Sequence, residues 1–497
     1  MLNIKTLQDI MRTDAGVDGD AQRIGQIIWI LFLKVYDFYE KRWRDSAEFE
    51  GEIYTSIIPD ELSWDTWANQ YDANGNVRKD IKTGDELIDF VNNKLFPTLK
   101  NLYITNDMPL NKKIVKKAFE DRINFMKDGI QLRKLINAIN SITLDENSDR
   151  ALLSSTYETF LKDLQSAGNA GEYYTPRAVT DFIMEILRPK IGDKIADLAC
   201  GTGGFLTSAF NYLNKLTKNT RDSEILKESF YGVEKKPLPY ILCVTNFLIK
   251  GIENPNLDHA NSFDTHFDDI KPSFDIIAMN PPYGGSENDT IKSNFPSEFR
   301  SSETADLFMA MITESLKFDG KAAVVLPDGF LFGDDSAKIN LKKRLLDEFN
   351  LHLIVRLPKS VFAPYTSITT NILFFERNGT GTDETWFYRL DMPPAYKAFS
   401  KTKPMKLEHF DEFFAWDTNR TALNDENGNP KAAKFSKAQL IDKNYNLDLC
   451  GFIEAKDEIL PPFELIEKFT HEQNELKSQM SATLEAIEAI LKSNKAQ

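Results

Sequence analysis

One segment limits the fold of this chain more than any other. Lys194 to Leu206 reads Lys-Ile-Ala-Asp-Leu-Ala-Cys-Gly-Thr-Gly-Gly-Phe-Leu. Ile195 to Leu198 has the length and composition of a short buried strand. Gly201, Gly203 and Gly204 then make a turn, and Phe205 to Leu216 continues with helical spacing of apolar residues. Strand, glycine turn and helix in succession open an α/β sheet, and in an open sheet this first turn is where a nucleotide-like ligand sits. The pattern is not a dinucleotide fingerprint, because the Gly-x-Gly-x-x-Gly spacing is missing and Asp197 precedes the glycines. An acidic residue there suits a ligand with a positively charged amino group, not a pyrophosphate. Tyr231-Gly232-Val233-Glu234 reads as the end of a second strand, where a carboxylate can accept both hydroxyls of a ribose. Alone, Glu234 would read as a solvated carboxylate. Together with Asp197 and the turn Gly201-Thr202-Gly203-Gly204 it describes a site for S-adenosyl-L-methionine.

A second run, Phe274 to Tyr283, reads Phe-Asp-Ile-Ile-Ala-Met-Asn-Pro-Pro-Tyr. Phe274 to Met279 is a buried strand by composition, and Pro281 and Pro282 end it by removing two backbone donors. Pro281 also biases Asn280 towards extended geometry. The corner presents the Asn280 amide, the Asn280 and Pro281 carbonyls, and the Tyr283 ring. That set suits a planar group bearing an NH2, with Asn280 and a carbonyl each accepting one N–H and Tyr283 stacking on the ring. A plain proline-capped Asx turn is the competing reading.

A third segment lies upstream, Gly168-Asn169-Ala170-Gly171-Glu172-Tyr173-Tyr174-Thr175-Pro176-Arg177. Thr175 reads as the N-cap, and Pro176 as the first residue, of a helix from Ala178 to Leu187. Capping leaves Gly171, Glu172 and the Tyr173-Tyr174 pair unexplained, and these suit a cover over the methionine end of the cofactor.

The order Gly-Glu-Tyr-Tyr-Thr-Pro-Arg, Asp-Leu-Ala-Cys-Gly-Thr-Gly-Gly, Asn-Pro-Pro-Tyr resembles amino-methyltransferases of the gamma arrangement. In particular it resembles the modification subunit of type I restriction-modification systems, a family of adenine-N6 DNA methyltransferases. Lys321 to Phe332 is similar to that family's strand and turn after the catalytic motif, and Ile354 to Phe375 to its last core strands. The resemblance spans roughly residues 5–495 and is most specific over 168–375. It implies a Rossmann-like, doubly wound S-adenosylmethionine-dependent methyltransferase sheet. It also implies Asn280, Pro281, Pro282 and Tyr283 as catalytic residues, and Glu172 to Arg177, Asp197, the glycine turn and Glu234 around the cofactor. Where the family usually has an acidic residue near the cofactor's adenine, this chain has Asn261-Ser262, and Asn261 can still hydrogen-bond the amino group. The implied partners are double-stranded DNA, a specificity subunit, a second copy of the modification subunit and a restriction subunit.

Composition agrees. At 497 residues and 42% hydrophobic content the chain is long enough for two or three domains. Residues 1–155 show helical periodicity (Ile24 to Tyr39, Asp85 to Leu99, Ile130 to Ile142) and are expected to form an all-helical domain. Residues 156–400 alternate strand and helix patterns, as a catalytic α/β domain would. Residues 401–460 read as an irregular extension and 461–497 as a helix; the resemblance implies that this helix docks on the specificity subunit, and packing on its own domain is the competing reading. In that helix Leu476, Met480, Leu484, Ile487 and Leu491 form a short coiled-coil-like seam. Gly284 to Glu303 is polar, and reads as a loop that orders over DNA or as a surface insertion. Cys200, Cys243 and Cys450 make neither a metal spacing nor a disulfide framework, so no metal site is expected. Gln26 to Leu33 is apolar but too short to span a bilayer, and no signal peptide is evident, so a soluble cytoplasmic protein is expected. The net charge of −15 makes an autonomous DNA reader a poor fit, because DNA affinity rests on Lys and Arg neutralising phosphates. Asn111 to Lys117 is a basic run, read as a solvated helix face. Two other functions fit the same corner: a protein glutamine methyltransferase, and a non-catalytic assembly subunit that keeps the fold.

Overall fold

The structure, a computed structural model, describes residues 4–451 apart from 72–74, 145–146, 165–173, 395, 401 and 450, together with a few positions between 466 and 481. Its centre is β1 (Ile195–Asp197), flanked on both sides by parallel strands, β2 (Phe230–Glu234) and β4 (Phe274–Met279). β3 (Leu257–His259) continues the parallel set beyond β2, and β5 (Leu316–Pro327) beyond β4. The chain fills one side of β1 with β2 and β3 before crossing to β4. That reversal opens a crevice at the carboxyl ends of β1 and β4, where ligands of open sheets bind.

Beyond β5 the sheet turns mixed. β7 (Thr370–Glu376) runs antiparallel between β5 and β6 (Asn350–Arg356), and β8 (Glu384–Arg389) lies parallel to β6. β10 (Pro430–Ser436) and β9 (Leu423–Asn424) close that edge in antiparallel pairing, giving ten strands in the order β3-β2-β1-β4-β5-β7-β6-β8-β10-β9. Residues 401–460, expected to be irregular, therefore contribute two strands, and helices at Asp411–Asp417 and Lys437–Asp442. The sheet continues past the strands that the resemblance took as its last.

Alternate residues of the central strands face opposite cores. Ile276 and Ala278 join one, with the helices Arg177–Leu187, Gly204–Asn214 and Pro237–Ile249. Ile277 and Met279 join the other, with the helices Thr304–Ser315 and Ser336–Glu348. Burial on both faces is why these strands read as continuous apolar runs.

The N-terminal region is helical, as expected. Its longest helix, Asp20–Glu50, buries nearly every side chain from Ile24 to Tyr39, which accounts for the apolar Gln26 to Leu33 stretch as core. No helix among the described residues is long and apolar enough to cross a membrane. The region is joined to the sheet body within one compact unit, Met1–Gly451. Asp20–Glu50 packs on Pro237–Ile249. Trp43 Nε1 donates to Glu253 Oε2 at 2.6 Å, Arg122 Nη2 to the Pro237 carbonyl at 2.6 Å, and the Tyr157 hydroxyl to the Leu242 carbonyl at 2.9 Å. The basic run at Asn111 to Lys117 is largely committed to structure. Lys112 donates to the Thr55 carbonyl, Lys113 to that of Asn106, and Lys117 to Asp258 beside β2.

The polar segment Gly284 to Glu303 holds a short helix, Asp289–Ser293, and a 3-10 turn, Ser297–Phe299. It is anchored by Phe295 and Phe299, which are buried against Phe263 and Phe267. In the second unit, Phe452–Gln497, Ile466, Phe469 and Met480 are helical and exposed. The rest of the expected seam lies outside the described residues.

Candidate active site at the carboxyl rim of the sheet

A cavity of about 440 Å³ opens at the carboxyl ends of β1, β2 and β4, a volume typical of small-ligand sites. Ten of the residues singled out from the sequence line it: Thr175, Asp197, Gly201, Gly204, Glu234, Asn261, Asn280, Pro281, Pro282 and Tyr283.

Asp197 ends β1 and is 1% exposed. Its Oδ1 accepts the Ala199 N–H at 3.1 Å. Burial pushes its carboxyl well above the usual carboxylate range; the Ala199 N–H opposes this shift, and nearby Glu234 adds to it. Glu234 ends β2, with Oε2 accepting the Gly201 N–H at 2.9 Å and Oε1 the Lys236 N–H at 2.6 Å. These bonds aim the carboxylate at the glycine turn. Two buried carboxylates on one cavity make a site that favours a positively charged ligand, since a cation relieves the cost that both pay. Asn261 lines the same wall, and its Oδ1 caps the turn Ser262–Asp264 by accepting the Phe263 N–H at 3.3 Å.

Other expected cofactor residues stand behind the wall. Gly203, with φ +78°, begins the helix Gly204–Asn214, and a Cβ there would meet Cys243 Sγ at 2.6 Å. Its need for glycine comes from this backbone conformation and from the helix behind the turn. Thr202 is buried off the cavity. Cys200 and Cys243 are buried free thiols 3.9 Å apart, which fits a packing role for Cys200. Arg177 is held by Glu158, with Nε donating to Oε2 at 2.8 Å, and its guanidinium lies over the Tyr174 ring. Arg177, Tyr174 and Pro176 thus brace the segment without lining the cavity. Glu172 and Tyr173 lie outside the described residues.

Thr175 does not cap the following helix. Pro176 holds the cap position, because its carbonyl accepts the first helical N–H, from Val179 at 2.9 Å. The Thr175 hydroxyl accepts instead from Asn280 Nδ2 at 3.2 Å. The Tyr283 hydroxyl donates to Asn280 Oδ1 and lies 3.2 Å from the Val325 carbonyl. Burial, with Tyr365 nearby, keeps the Tyr283 phenol protonated by raising it well above its usual range. The proline corner is therefore tied to the Thr175 segment on one side and to β5 on the other.

Several lining residues were not singled out from sequence. Tyr365 lines the cavity from the loop after β6, together with Phe362, which the resemblance had placed among the last core strands. Lys235, next to Glu234, pairs with Glu287 at 3.0 Å, which joins the β2 end to the segment after Tyr283. The Gly285 carbonyl accepts the Thr304 N–H at 3.1 Å.

Comparison with known proteins covers the whole chain. The N-6 DNA methylase family matches residues 148–459, and the HsdM N-terminal domain matches residues 3–139. The type I restriction enzyme EcoEI methylase subunit of Escherichia coli is 45% identical over 497 residues, covering 99% of this chain and 98% of that one. The crystal structure of a modification subunit of a candidate type I restriction enzyme from Vibrio vulnificus YJ016 superposes with a TM-score of 0.72. It is 37% identical and covers 88% of this chain and 92% of that one. A chain from work on complex assembly and conformational transition of the type I R-M system superposes with a TM-score of 0.78, at 31% identity, covering 98% and 97%. The family match takes in every segment that walls the cavity, and on that match and the end-to-end identity this chain belongs to the N-6 DNA methylase family.

Proposed function

We propose that this chain transfers a methyl group from S-adenosylmethionine to the exocyclic N6 amine of an adenine flipped out of duplex DNA, as the modification subunit of a type I complex. The observation that carries the reading is the Asn280 carboxamide, held with Oδ1 at a cavity whose other wall has Asp197 and Glu234. When bound, S-adenosylmethionine supplies a methyl on a sulfonium centre. The residues present fit that ligand, with Asp197 answering its positive charge and Glu234 its ribose.

Adenine's amine is a weak nucleophile because its lone pair is delocalised into the ring. Asn280 Oδ1 and the Pro281 carbonyl accept its two N–H bonds and favour a pyramidal nitrogen with its lone pair directed at the methyl. The target amine takes over the bond that the Tyr283 hydroxyl now makes to Asn280. The gain comes from orientation and from acceptors fixed in advance, in a direct in-line displacement with no covalent enzyme intermediate: the nitrogen lone pair displaces the neutral thioether from the methyl, and the amine gives up its surplus proton to solvent. The base cannot reach the corner from within a duplex, so it flips out and stacks on the Tyr283 ring.

With a net charge of −15 the chain is a weak autonomous DNA binder, so reading of the sequence falls to a specificity subunit. Two copies of this chain and one specificity subunit form the modifying complex. The test is transfer of tritiated methyl by the reconstituted complex to duplex DNA and, in parallel, to release-factor protein. Label on adenine N6, dependent on the specificity subunit, supports the proposal. Label on protein glutamine indicates the alternative methyltransferase, and no transfer to either indicates a scaffold.

A further inference from the structure

We infer that the lysine-rich segment after β8, with Lys397 and Lys403 at its surface, binds the phosphate backbone of the DNA duplex beside the cavity mouth. This rests on the reading of DNA as the substrate, and names where the chain grips it.

The chain carries 75 acidic residues, yet none stands between Asp391 and Glu408, where four lysines do: Lys397, Lys401, Lys403 and Lys406. Within a net charge of −15 this stretch is a local reversal of sign, and duplex affinity rests on such groups. Topology brings it to the site. β4, β5, β6 and β8 all run in one direction, because β5 is parallel to β4, β7 is antiparallel to both β5 and β6, and β8 is parallel to β6. The segments that follow β6 and β8 therefore leave from the rim that carries the cavity. They are also tied together. The Phe399 N–H donates to Ser360 Oγ at 2.9 Å, and the loop that holds Ser360 lines the cavity with Phe362, Tyr365 and Thr366.

The segment has an apolar side and a charged side. Phe399 and Met405 are buried, and the rings of Tyr396, Phe399 and His409 pack on one another. Ser400 and Lys403 exchange backbone hydrogen bonds at 3.0 and 3.1 Å. Lys397, Lys403 and Lys406 are exposed, as is Lys359 next to Ser360. Lys403 Nζ lies 5.8 Å from the centre of the Tyr396 ring, and Lys406 is paired with Glu408 at 3.1 Å, so the test falls on Lys397 and Lys403. Ammonium groups on an anchored loop suit phosphate contacts, which hold a duplex in place and read no bases. A base turned into the cavity leaves its own phosphates at the rim, the rim that these lysines share.

Lys397→Gln combined with Lys403→Gln, and the matching pair of arginine substitutions, are assayed in the complex with the specificity subunit. Fluorescence anisotropy follows binding to a duplex with the recognised site and to one without it, as salt is raised. At about 0.1 M salt the glutamine pair should bind both duplexes on the order of tenfold more weakly, and the slope of log affinity against log salt should shrink by about two. The arginine pair should keep the wild-type slope. Calorimetric S-adenosylmethionine affinity should match wild type in both. A glutamine pair with wild-type affinity and slope would overturn the inference. So would weakening on the recognised duplex alone. Failure of the glutamine pair to assemble with the specificity subunit in gel filtration would make the segment a protein-docking surface, and overturn it too. If the salt slope falls as expected but the wild-type complex methylates no adenine, the surface stands and the proposed reaction fails. A complex that methylates adenine and is indifferent to both lysines keeps the reaction and loses the surface.

Discussion

In the proposed function Asp197 and Asn280 divide the chemistry between them, and each has a distinct signature in solution. Burial raises the Asp197 carboxyl pKa in the folded protein above its unfolded value of about 4. A raised folded pKa means that the stabilising contribution is complete below the unfolded pKa and is lost as pH rises through the folded pKa. Asp197→Asn should therefore melt higher than wild type near neutral pH. The gap should open as pH rises from about 4 and level off above the folded pKa. The same variant should bind S-adenosylmethionine at least about tenfold more weakly, since a charged hydrogen bond is worth roughly 1.5–3 kcal/mol. Thermal scans across pH and calorimetry check both, and a variant less stable at every pH would contradict the sign. Asn280→Ala should cost on the order of a hundred- to a thousandfold in methyl transfer with cofactor affinity nearly intact. Tyr283→Ala should weaken capture of the flipped base, read by 2-aminopurine fluorescence. Tyr283→Phe should be mild, because the hydroxyl holds a place that the substrate later takes. A Phe variant as inactive as Ala would assign the hydroxyl a role in the reaction.

Among the elements, the segment after Tyr283 behaves as a strap. Gly284 to Glu287 line the cavity, fixed to Thr304 through Gly285 and to the β2 end through Lys235–Glu287. Glu287→Gln removes the ionic half of the second tie. It should speed S-adenosylmethionine release in stopped-flow measurements severalfold, in line with a partly exposed ion pair of up to about 1 kcal/mol. Added salt should speed the wild-type release towards the variant's rate. Lys235 and Glu287 are 52 positions apart, so no local pattern announced the pair. The same limit explains Thr175, which reads as a cap in sequence because its true partner is 105 positions away. β1, its glycine turn and the proline corner after β4 were legible, because each carries its own punctuation. β9 and β10 were not. Pro430–Ser436 reads Pro-Lys-Ala-Ala-Lys-Phe-Ser, with no β-branched residue, and becomes a strand only where β8 offers an edge. Arg177 was read as a ligand contact for the same reason, since its carboxylate partner Glu158 lies in a preceding helix whose role the motif does not state.

At the scale of the whole molecule, the helical N-terminal region and the sheet share one body. The sequence divides them at about residue 155 by a change of periodicity. The fold joins them through Trp43–Glu253 and Arg122–Pro237, and through the packing of Asp20–Glu50 on Pro237–Ile249. Residues 156–451 made without 1–155 would expose the outer face of Pro237–Ile249, and should be insoluble or molten. The full chain should unfold over this body in a single calorimetric transition. Resolved, separate transitions for the helical and sheet regions would contradict it. Pro237–Ile249 also carries Cys243, which sits against Gly203 in the glycine turn. A continuous run of packed side chains thus leads from the ligand cavity to a helix that supplies no cavity residue. Ligand binding lowers the population of openings that disrupt that run, so backbone amides of Asp20–Glu50 should exchange with deuterated solvent more slowly once S-adenosylmethionine is bound. The N-terminal helix then serves as a remote reporter of site occupancy, readable by mass spectrometry without a label anywhere near the chemistry.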